Sequence, residues 1–407
     1  MACSPGLYSL LGPPQSQGLR QGGVAHVRAA LLDVRATTLA LADDYETALA
    51  RQGLRVDYDT GLNPPVWEWG HIAWFQEWWI ARNRQRSLGV RCDPAHERPP
   101  SVLAGADALY DSSNVPHRTR WELPLPDAAG TRAYLARVLD TTLAQLDALG
   151  PDAGHDELYF FRLVALHEAM HAEAAAYMAR TLGIDVREPA EVAARPAIEL
   201  RMAQGELSLG SPDHGFAFDN ELRAHPVVVG ETAIDSHPVD WARFLAFVEE
   251  GGYERRDWWD DRGWNWLASQ QAPWRRAGGG WEQRRGPRWT PVDPRHTAVH
   301  LSAFEAEAWC RWAGRRLPTE AEWECAATTV PGFGWGGAWE WTASAFEPFA
   351  GFEPHPYRDY SAPWFGTRRT LRGAASATSP WLAHAKYRNF FEPQRRDVFA
   401  GFRSAKG

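Results

Sequence analysis

The chain has 407 residues, more than one ordinary hydrophobic core accommodates, so its length predicts two domains. Its net charge of -8 disfavours nucleic-acid binding, and no apolar run approaches the ~20 residues of a membrane span. The N-terminus lacks a basic segment followed by an apolar core, and the four cysteines show no paired spacing. The simplest expectation is a reduced, cytoplasmic protein.

The first part of the chain predicts helices. Residues 1–22 are rich in Gly, Pro and Gln and predict a loose N-terminal arm. Residues 23–185 then show apolar positions at helical spacing, which favours an all-α bundle of four helices, an architecture in which metal sites form between facing helices. The span 91–130 is interrupted by prolines and is expected to be irregular. The predicted helices cover residues 24–52, 67–83, 131–149 and 157–182.

The second part differs in composition and in the spacing of its apolar residues. Residues 186–198 are expected to be a linker. Residues 199–407 contain short apolar runs and many Gly, Pro and Trp residues, which predicts an α+β domain rich in irregular loops. Clear helices are expected only at 240–250 and 302–313. The 22 tryptophans should mostly fill this core, and an aromatic-walled pocket among them would suit a quaternary ammonium group.

The most informative motif lies in the fourth predicted helix, where His167 and His171 are four residues apart. This spacing places both on one helix face, where each can offer an imidazole nitrogen to one metal ion. His71, on an earlier predicted helix, is the candidate third ligand, with a buried, hydrogen-bonded core histidine as the alternative. Three neutral ligands leave positions open, which suits Fe(II) meeting O2 or Zn(II) activating water. Glu173, rotated about 200° from His171, should instead hold a ligand or nearby backbone from behind the metal face.

The same residues also satisfy H-E-x-x-H, the helix of zinc proteases, with Glu168 as general base. The extended form of that motif fails, because Ala174 and Tyr177 stand where glycine and a third histidine are required. Glu188 or Glu191 could serve as another third ligand, but both follow the end of the predicted helix. The protease is therefore the minor interpretation.

The whole pattern resembles a known family. The arrangement His71, His167-x3-His171-x-Glu173 is similar to the DinB-like helical domain of the ergothioneine and ovothiol sulfoxide synthases. The second part resembles the formylglycine-generating-enzyme fold, a C-type-lectin-like domain. The segment Y-R-N-F-F-E-P at 387–393 resembles the substrate-lining strand of the hercynine-modifying synthases. The other matching motifs are G-E-L-S-L-G (205–210), F-D-N-E (218–221), R-L-P-T-E-A-E-W-E (316–324), W-E-W-T (339–342) and G-F-R (401–403).

The resemblance implies an Fe(II)- and O2-dependent enzyme that forms a carbon–chalcogen bond at C2 of hercynine, the trimethylated histidine betaine. It implies that His71, His167 and His171 hold the iron, and it leaves the catalytic proton donor unassigned. Formylglycine generation is not expected, because that chemistry resembles the work of a C-terminal cysteine pair and no cysteine follows Cys325. The implied substrate-lining residues are Met170, Tyr387, Asn389, Phe390 and Phe391.

Departures from the family pattern bear on the second substrate. Phe391 stands where relatives that use γ-glutamylcysteine have aspartate, and Met170 stands where the family often has glutamine. The loop 110–121 is similar to that of the selenoneine synthase branch, which couples hercynine to a selenosugar. Arg118 and Arg120 in this loop are candidate contacts for the second substrate, with plain surface charge as the alternative.

Several functions therefore stay open at this point. The preferred one is a selenoneine synthase-like enzyme acting on hercynine, a selenosugar and O2. An ergothioneine-type sulfoxide synthase, coupling hercynine with cysteine or γ-glutamylcysteine, is the runner-up. A zinc-dependent DinB-like thiol transferase or hydrolase, and an inactive lectin-like binding module, are the further alternatives.

Overall fold

The computed structural model describes residues 7–187, 192–193, 197–270 and 272–407. Within these residues the first half of the chain is helical and the second half mixes strands with shorter helices, as the sequence predicts. None of the described helices combines the length and apolarity that crossing a bilayer requires. The helices are α1 (Pro14–Gln21), α2 (Val24–Ala48), α3 (Pro65–Trp79), α4 (Ala106–Tyr110), α5 (Ala128–Asp147), α6 (His155–Leu182), α7 (Trp241–Glu249), α8 (Asp261–Leu267), α9 (Ala303–Trp312) and α10 (Glu320–Thr329).

The long helices α2, α3, α5 and α6 pack against one another as a four-helix bundle. Helix α3 lies inside it, since 13 of its 15 residues are buried. A helix that is buried all round must satisfy its polar side chains internally, so the polar residues of α3 mark interior contacts. Helix α6 runs for 28 residues and ends at Gly183, which adopts the left-handed conformation that favours glycine at this position.

The region expected to be irregular contains α4, which packs closely against α3. Gly70 is required there, because a Cβ atom at this position would lie 2.2 Å from the ring of Tyr110. The absence of a side chain lets the two helices approach, and this approach positions the neighbouring His71.

The expectation of a loose N-terminal arm is wrong for its described part, residues 7–22. Helix α1 lies there, and the guanidinium of Arg20 donates to both carboxylate oxygens of Glu221 at 2.7 and 3.0 Å. Arg20 and Glu221 are both buried. The arm thus joins the helical half to the second half. Composition alone could not show this, because the partner lies about 200 residues away.

The sheets of the described residues consist mostly of short strands, which are β1 (Glu199–Met202), β2 (Gly205–Leu209), β3 (His225–Val229), β4 (Thr232–Asp235), β5 (Trp274–Ala277), β6 (Gly280–Arg285), β7 (Arg288–Pro291), β8 (Arg315–Arg316), β9 (Ala338–Ala345), β10 (Arg369–Ala374), β11 (Asn389–Phe391), β12 (Ala400–Gly401) and β13 (Ala405–Lys406).

The second half contains four small sheets within the described residues. In one of them the strand order is β11-β10-β9-β12, and β10 pairs antiparallel with both β9 and β11. Leu371 at the centre of β10 lies opposite Trp341 on one side and Asn389 on the other. The second four-stranded sheet has the order β1-β4-β13-β8, and a β2-β3 pair and a β5-β6-β7 sheet complete the set.

Buried ion pairs organise the core of the second half. Every guanidinium nitrogen of Arg403 donates a hydrogen bond, to Glu340 and to backbone carbonyls that include Gly334. Arg388 likewise pairs with Glu320 at 2.8 and 2.9 Å. Such pairs keep the long loops of this half in fixed positions, since a buried charge is tolerated only with its partner.

Two buried side chains of the second half meet α6 directly. Glu173 accepts hydrogen bonds from Trp339 Nε1 at 2.6 Å and from Thr378 Oγ1 at 2.8 Å. Trp381 Nε1 donates to Asp33 of α2 at 2.8 Å. Helices α2 and α6 therefore both contact the second half, and α6 does so through Trp339 of β9.

Candidate metal centre

The three predicted histidines converge between α3 and α6. One ring nitrogen from each of His71, His167 and His171 lies within 4.8 Å of the other two. The Nε2 atoms of His167 and His171 are 3.2 Å apart, because a spacing of four residues places both rings on the same face of α6. His71 reaches them from the facing helix.

The buried imidazoles are held in the neutral form. Burial, and then the neighbouring His171, lower the pKa of His71 to about 3. Burial also lowers the pKa of His167 well below its ordinary value, helped by the two other rings. A neutral imidazole keeps a nitrogen lone pair, so these rings can bind a cation. The arrangement is a set of nitrogen donors of the kind that binds Fe(II), Zn(II) or a similar ion.

Helix α3 orients its own histidine. Nδ1 of His71 lies 2.8 Å from the backbone oxygen of Tyr110, and it must donate there because a carbonyl only accepts. The lone pair is then on Nε2. The indole of Trp67 stacks on the ring at 4.9 Å and 7°, which fixes the plane of the imidazole.

A carboxylate that the sequence interpretation missed contacts the third histidine. Glu68 Oε2 lies 2.6 Å from Nδ1 of His171, and Asn63 Nδ2 donates to Glu68 Oε1 at 2.5 Å. Burial alone would raise the pKa of Glu68, but the neighbouring histidines and Asn63 bring it down to about 2. The signal was present in the sequence, as an acidic residue one turn before His71 in a nearly apolar helix.

Aromatic side chains pack against the triad next to His167. Phe75 stacks on the ring of His167 with 3.6 Å between the centroids and 5° between the planes. The ring of Tyr357, from a loop of the second half, lies 4.9 Å from Phe75 and 6.2 Å from His167. Neither residue was predicted from the sequence, because neither lies in a motif and Tyr357 is distant from the histidines along the chain.

The protease interpretation fails at its general base. Both oxygens of Glu168 accept hydrogen bonds from Arg35, at 2.7 and 3.1 Å, in a buried ion pair. Arg35 is fixed in turn by the backbone oxygen of Leu135. A carboxylate held in this way is not available to activate water. The alternative ligands Glu188 and Glu191 lie outside the described residues.

The role predicted for Glu173 needs correction. Its carboxylate contacts Trp339 and Thr378, so it holds the second half against α6 and does not hold a histidine. The rotation of about 200° that removes Glu173 from the metal face turns it toward the second half, whose position the sequence did not show. The residue that contacts a candidate ligand is Glu68.

The predicted substrate residues share one cavity with His171. This cavity has a volume of about 220 Å³ and lies between α6 and the second half. Tyr387 Oη donates to Met170 Sδ at 3.3 Å, and Tyr360 Oη donates to Tyr387 Oη at 2.9 Å. Its lining residues are Met170, His171, Glu173, Ala174, Tyr177, Trp339, Tyr360, Leu382, Tyr387, Asn389, Phe390 and Phe391. Below we call it the His171 cavity.

The two arginines of the 110–121 loop lie elsewhere. Arg120 donates to Asn63 Oδ1 at 2.9 Å and stacks over the indole of Trp67 at 3.9 Å, behind the triad. It also lines a separate cleft of about 890 Å³ on the bundle surface. Arg118 is exposed, stacks over Tyr58 at 4.8 Å and lines neither the His171 cavity nor that cleft. Their predicted contact with a second substrate stays a prediction.

The second half of the chain contains a match to a known domain family. Residues 186–333 match the family described as the sulfatase-modifying factor enzyme 1-like domain. The formylglycine-generating enzyme of Bos taurus is 30% identical over 49% of this chain and 61% of its own length. These matches leave the helical half of the chain unassigned.

Two further relatives match both halves. The hercynine oxygenase of Mycolicibacterium thermoresistibile is 32% identical over 94% of this chain and 94% of its own length. The hercynine oxygenase of Mycobacterium tuberculosis is 33% identical over 92% of this chain and 97% of its own length. The similarity therefore extends over the bundle, the triad and the second half together.

Proposed function

This chain belongs to the hercynine oxygenase family, and from that premise we propose that it is a non-heme Fe(II) enzyme that couples hercynine to a selenosugar. The bond formed joins selenium to C2 of the imidazole ring of hercynine, and O2 is the oxidant. Family membership makes the chain an enzyme and an oxidoreductase. The observation that carries the finer proposal is the His171 cavity, whose aromatic wall lies beside one of the three converging histidines.

The donor set favours a metal with open positions. His71, His167 and His171 would bind a metal through three imidazole nitrogens, and three protein ligands leave room for O2 and a soft donor atom. Iron, when bound there, would supply the electron-transfer chemistry with O2. The protein's own part is to hold the three rings in place, and the contacts of His71 with Tyr110 and of His171 with Glu68 do this.

The wall of the His171 cavity suits hercynine. Its trimethylammonium group is permanently cationic, and aromatic faces attract such groups more strongly than they attract neutral ones. Trp339, Tyr360, Tyr387 and Phe390 supply these faces, and the amide of Asn389 lies on the same wall. We propose that the aromatic residues bind the ammonium end and that Asn389 contacts a polar group of the substrate.

Protonated hydroxyls lie beside the same cavity. Burial raises the pKa of Tyr387 and of Tyr360, so both phenols keep their protons. Their mutual hydrogen bond leads to Met170, next to His171. The pair can donate hydrogen bonds to bound substrates, and we assign no residue as the proton donor of the reaction.

The choice of donor rests on the chemistry of the wall. Phe391 is apolar where a peptide-like donor would need a carboxylate for its ammonium group. Glu173 is the acidic residue of the lining, and its carboxylate is already bonded to Trp339 and Thr378. The wall therefore favours a donor without an ammonium group, such as a selenosugar. An ergothioneine-type sulfoxide synthase that uses cysteine or γ-glutamylcysteine is the second candidate, since sulfur and selenium are both soft donors.

Several predictions from the sequence accompany this proposal. We propose that residues 23–185 form a DinB-like domain, that 186–198 link it to the second half, and that 199–407 form the formylglycine-generating-enzyme-like domain. The partners proposed are small molecules alone, and a reduced, cytoplasmic setting stays a prediction.

One competition assay tests the proposal. The protein, loaded with Fe(II), receives hercynine and O2 together with selenosugar, thiosugar, cysteine and γ-glutamylcysteine, and mass spectrometry resolves the products. We expect the hercynine–selenosugar conjugate as the main product. Sulfoxide conjugates of cysteine or γ-glutamylcysteine as the main product would replace the donor and leave the iron and hercynine assignments intact.

An anaerobic arm separates the enzyme from its zinc and non-catalytic alternatives. Oxidative coupling should stop without O2. A zinc-dependent thiol transferase would continue under the same conditions, and a binding module would consume nothing with or without O2. Either result would contradict an iron oxygenase.

A further inference from the structure

A continuous polar chain runs from the candidate ligand His171 to the 110–121 loop. Nδ1 of His171 lies 2.6 Å from Glu68 Oε2. Glu68 Oε1 accepts from Asn63 Nδ2 at 2.5 Å, and Asn63 Oδ1 accepts from Arg120 Nη1 at 2.9 Å. Each carboxylate oxygen of Glu68 thus has one partner, one on the side of the triad and one on the side of the loop.

A second path starts at the same arginine and reaches a different ligand. The guanidinium of Arg120 stacks on Trp67 at 3.9 Å, and the other neighbour of that indole is the ring of His71 at 4.9 Å and 7°. Contacts behind His171 and behind His71 therefore meet at one guanidinium. The two histidines lie on different helices, α3 and α6.

We propose that Glu68 is a positioning residue that holds His171 as an Nε2 donor, with Asn63 and Arg120 fixing the carboxylate in place. A neutral imidazole has one nitrogen that donates a hydrogen bond and one that accepts. A carboxylate only accepts, so Nδ1 of His171 must hold the proton, and the lone pair lies on Nε2, the atom that faces His167. A carboxylate behind a histidine also makes the ring a stronger electron donor to a metal.

This inference rests on the proposed metal site and adds a residue that sets how tightly the site binds a metal ion. It differs from an ordinary buried hydrogen bond in one measurable way. A structural carboxylate would affect folding stability, whereas Glu68 should affect the metal itself, through the orientation and basicity of one ligand.

Helix α3 contains a matched control. Glu77 is also buried, at 1% exposure, nine residues after Glu68. Its carboxylate accepts from Tyr134 Oη at 2.6 Å, from Ser101 Oγ at 2.6 Å and from the backbone of Val102. None of these partners belongs to the triad, so Glu77→Gln neutralises an equivalent carboxylate without touching a candidate ligand.

The experiment measures Co(II) binding to the full chain without substrates. Wild type, Glu68→Gln and Glu77→Gln are titrated in competition with a chromophoric chelator, and the visible spectrum of bound Co(II) is recorded. Glu68→Gln should weaken Co(II) binding by about 10- to 100-fold, the usual effect of removing an outer partner, and should shift the spectrum. Glu77→Gln should keep both the affinity and the spectrum.

Asn63→Ala provides a variant that keeps the carboxylate and releases its tether. It should weaken Co(II) binding less than Glu68→Gln does, and it serves the test if Glu68→Gln does not fold. Wild-type affinity and spectrum in the folded Glu68→Gln protein, or in Asn63→Ala where Glu68→Gln fails to fold, would overturn the role of Glu68. Absence of Co(II) binding by wild type would overturn the proposed metal site as well, so the two failures are distinguishable.

Discussion

The two halves of the molecule bury polar groups in opposite ways. In the second half, Arg403 and Glu340 satisfy one another, and the remaining guanidinium donors are taken up by backbone oxygens. In the helical half, His71, His167 and His171 instead bring one ring nitrogen each to within 4.8 Å of the other two, as the ligands of a metal ion would be placed. Burial of polar residues is therefore not the signal of function here. The signal is a buried set of metal-binding nitrogens that two helices bring together.

The contrast holds even within one helix. Glu168 follows the candidate ligand His167 directly, yet both of its carboxylate oxygens accept hydrogen bonds from Arg35. Its charge is therefore paired, as the buried charges of Arg403 and Glu340 in the second half are. Neighbourhood in sequence thus says little about which buried group is functional. The partner of each group decides, and that partner is visible only in the fold.

The largest expected effect is the loss of metal when one histidine of the triad is removed. His167→Ala, and equally His71→Ala or His171→Ala, should weaken iron binding by more than about 100-fold, beyond the effect of losing an outer partner, and should abolish activity. Metal analysis of the purified variants and an assay of hercynine consumption would measure this. Full iron content in any of the three would remove that histidine from the site.

Breaking the buried ion pair of Arg403 and Glu340 in the second half should lower the stability of the fold without removing the metal. Glu340→Ala leaves the buried charge of Arg403 without its partner, which should lower the free energy of unfolding by about 3–5 kcal/mol. Denaturant titration of the metal-free protein would measure it. The folded fraction of this variant should still bind one iron, and a loss of iron greater than the loss of folded protein would contradict the separation of the two regions.

Asp219 lies between these two cases, because it is a buried carboxylate with hydrogen-bond partners but, among the described residues, without a cationic one. It accepts from Ser361 Oγ and from the backbone of His355, and burial raises its pKa to about 6. Because the folded pKa lies above the unfolded one, the stability that Asp219 contributes is present below about pH 4 and is lost as the pH rises through 6.

The free energy of unfolding of wild type, relative to Asp219→Asn, should accordingly fall by about 1–3 kcal/mol between pH 4 and pH 7. Subtracting the variant cancels the titration of groups that do not interact with Asp219. A difference that stays constant across this range would show that Asp219 has an ordinary pKa in the folded protein.

The smallest expected effect concerns the place where the two regions meet. Asn389→Ala removes an amide from the wall of the His171 cavity and should raise the KM for hercynine by about tenfold, the equivalent of one lost hydrogen bond. Iron content should stay at the wild-type level. An unchanged KM would show that the role assigned to Asn389 by family resemblance is wrong.

The helices of the bundle were predictable because their pattern is local. Apolar residues at helical spacing predicted α2, α3, α5 and α6. The predicted end of α6 at Leu182 is the observed one, whereas α2 was predicted to run to residue 52 and ends at Ala48. The strands were not predictable to the same degree. Strand β11, Asn389–Phe391, has three residues and exists because β10 offers it a partner, which no local pattern encodes.

Helix α10 shows a local signal that was overlooked. Thr319 and Glu322 cap its first turn reciprocally, with Thr319 Oγ1 accepting from Glu322 N at 3.2 Å and Glu322 Oε2 accepting from Thr319 N at 2.7 Å. This is the capping box that S/T-x-x-E predicts. The segment was instead recognised only as a family motif.

For the site, the sequence located the donors but not their supports. Three histidines and the cavity residues Met170 and Asn389 were named from spacing and resemblance, and the structure brings them together. Glu68 was missed because its role depends on a ring from another helix. Glu173 was misassigned because its partners lie more than 160 residues away.

The clamp that Glu173 forms with Trp339 and Thr378 has a consequence for protein engineering. It ties the second half to a point two residues from the candidate ligand His171. Exchanging that half between relatives would therefore also exchange part of the lining of the His171 cavity. A hybrid that keeps Glu173 but receives a foreign partner for it would leave a buried carboxylate unmatched. Recombination within this family should therefore succeed when all three residues come from one parent, and hybrids that divide them should be recovered less often.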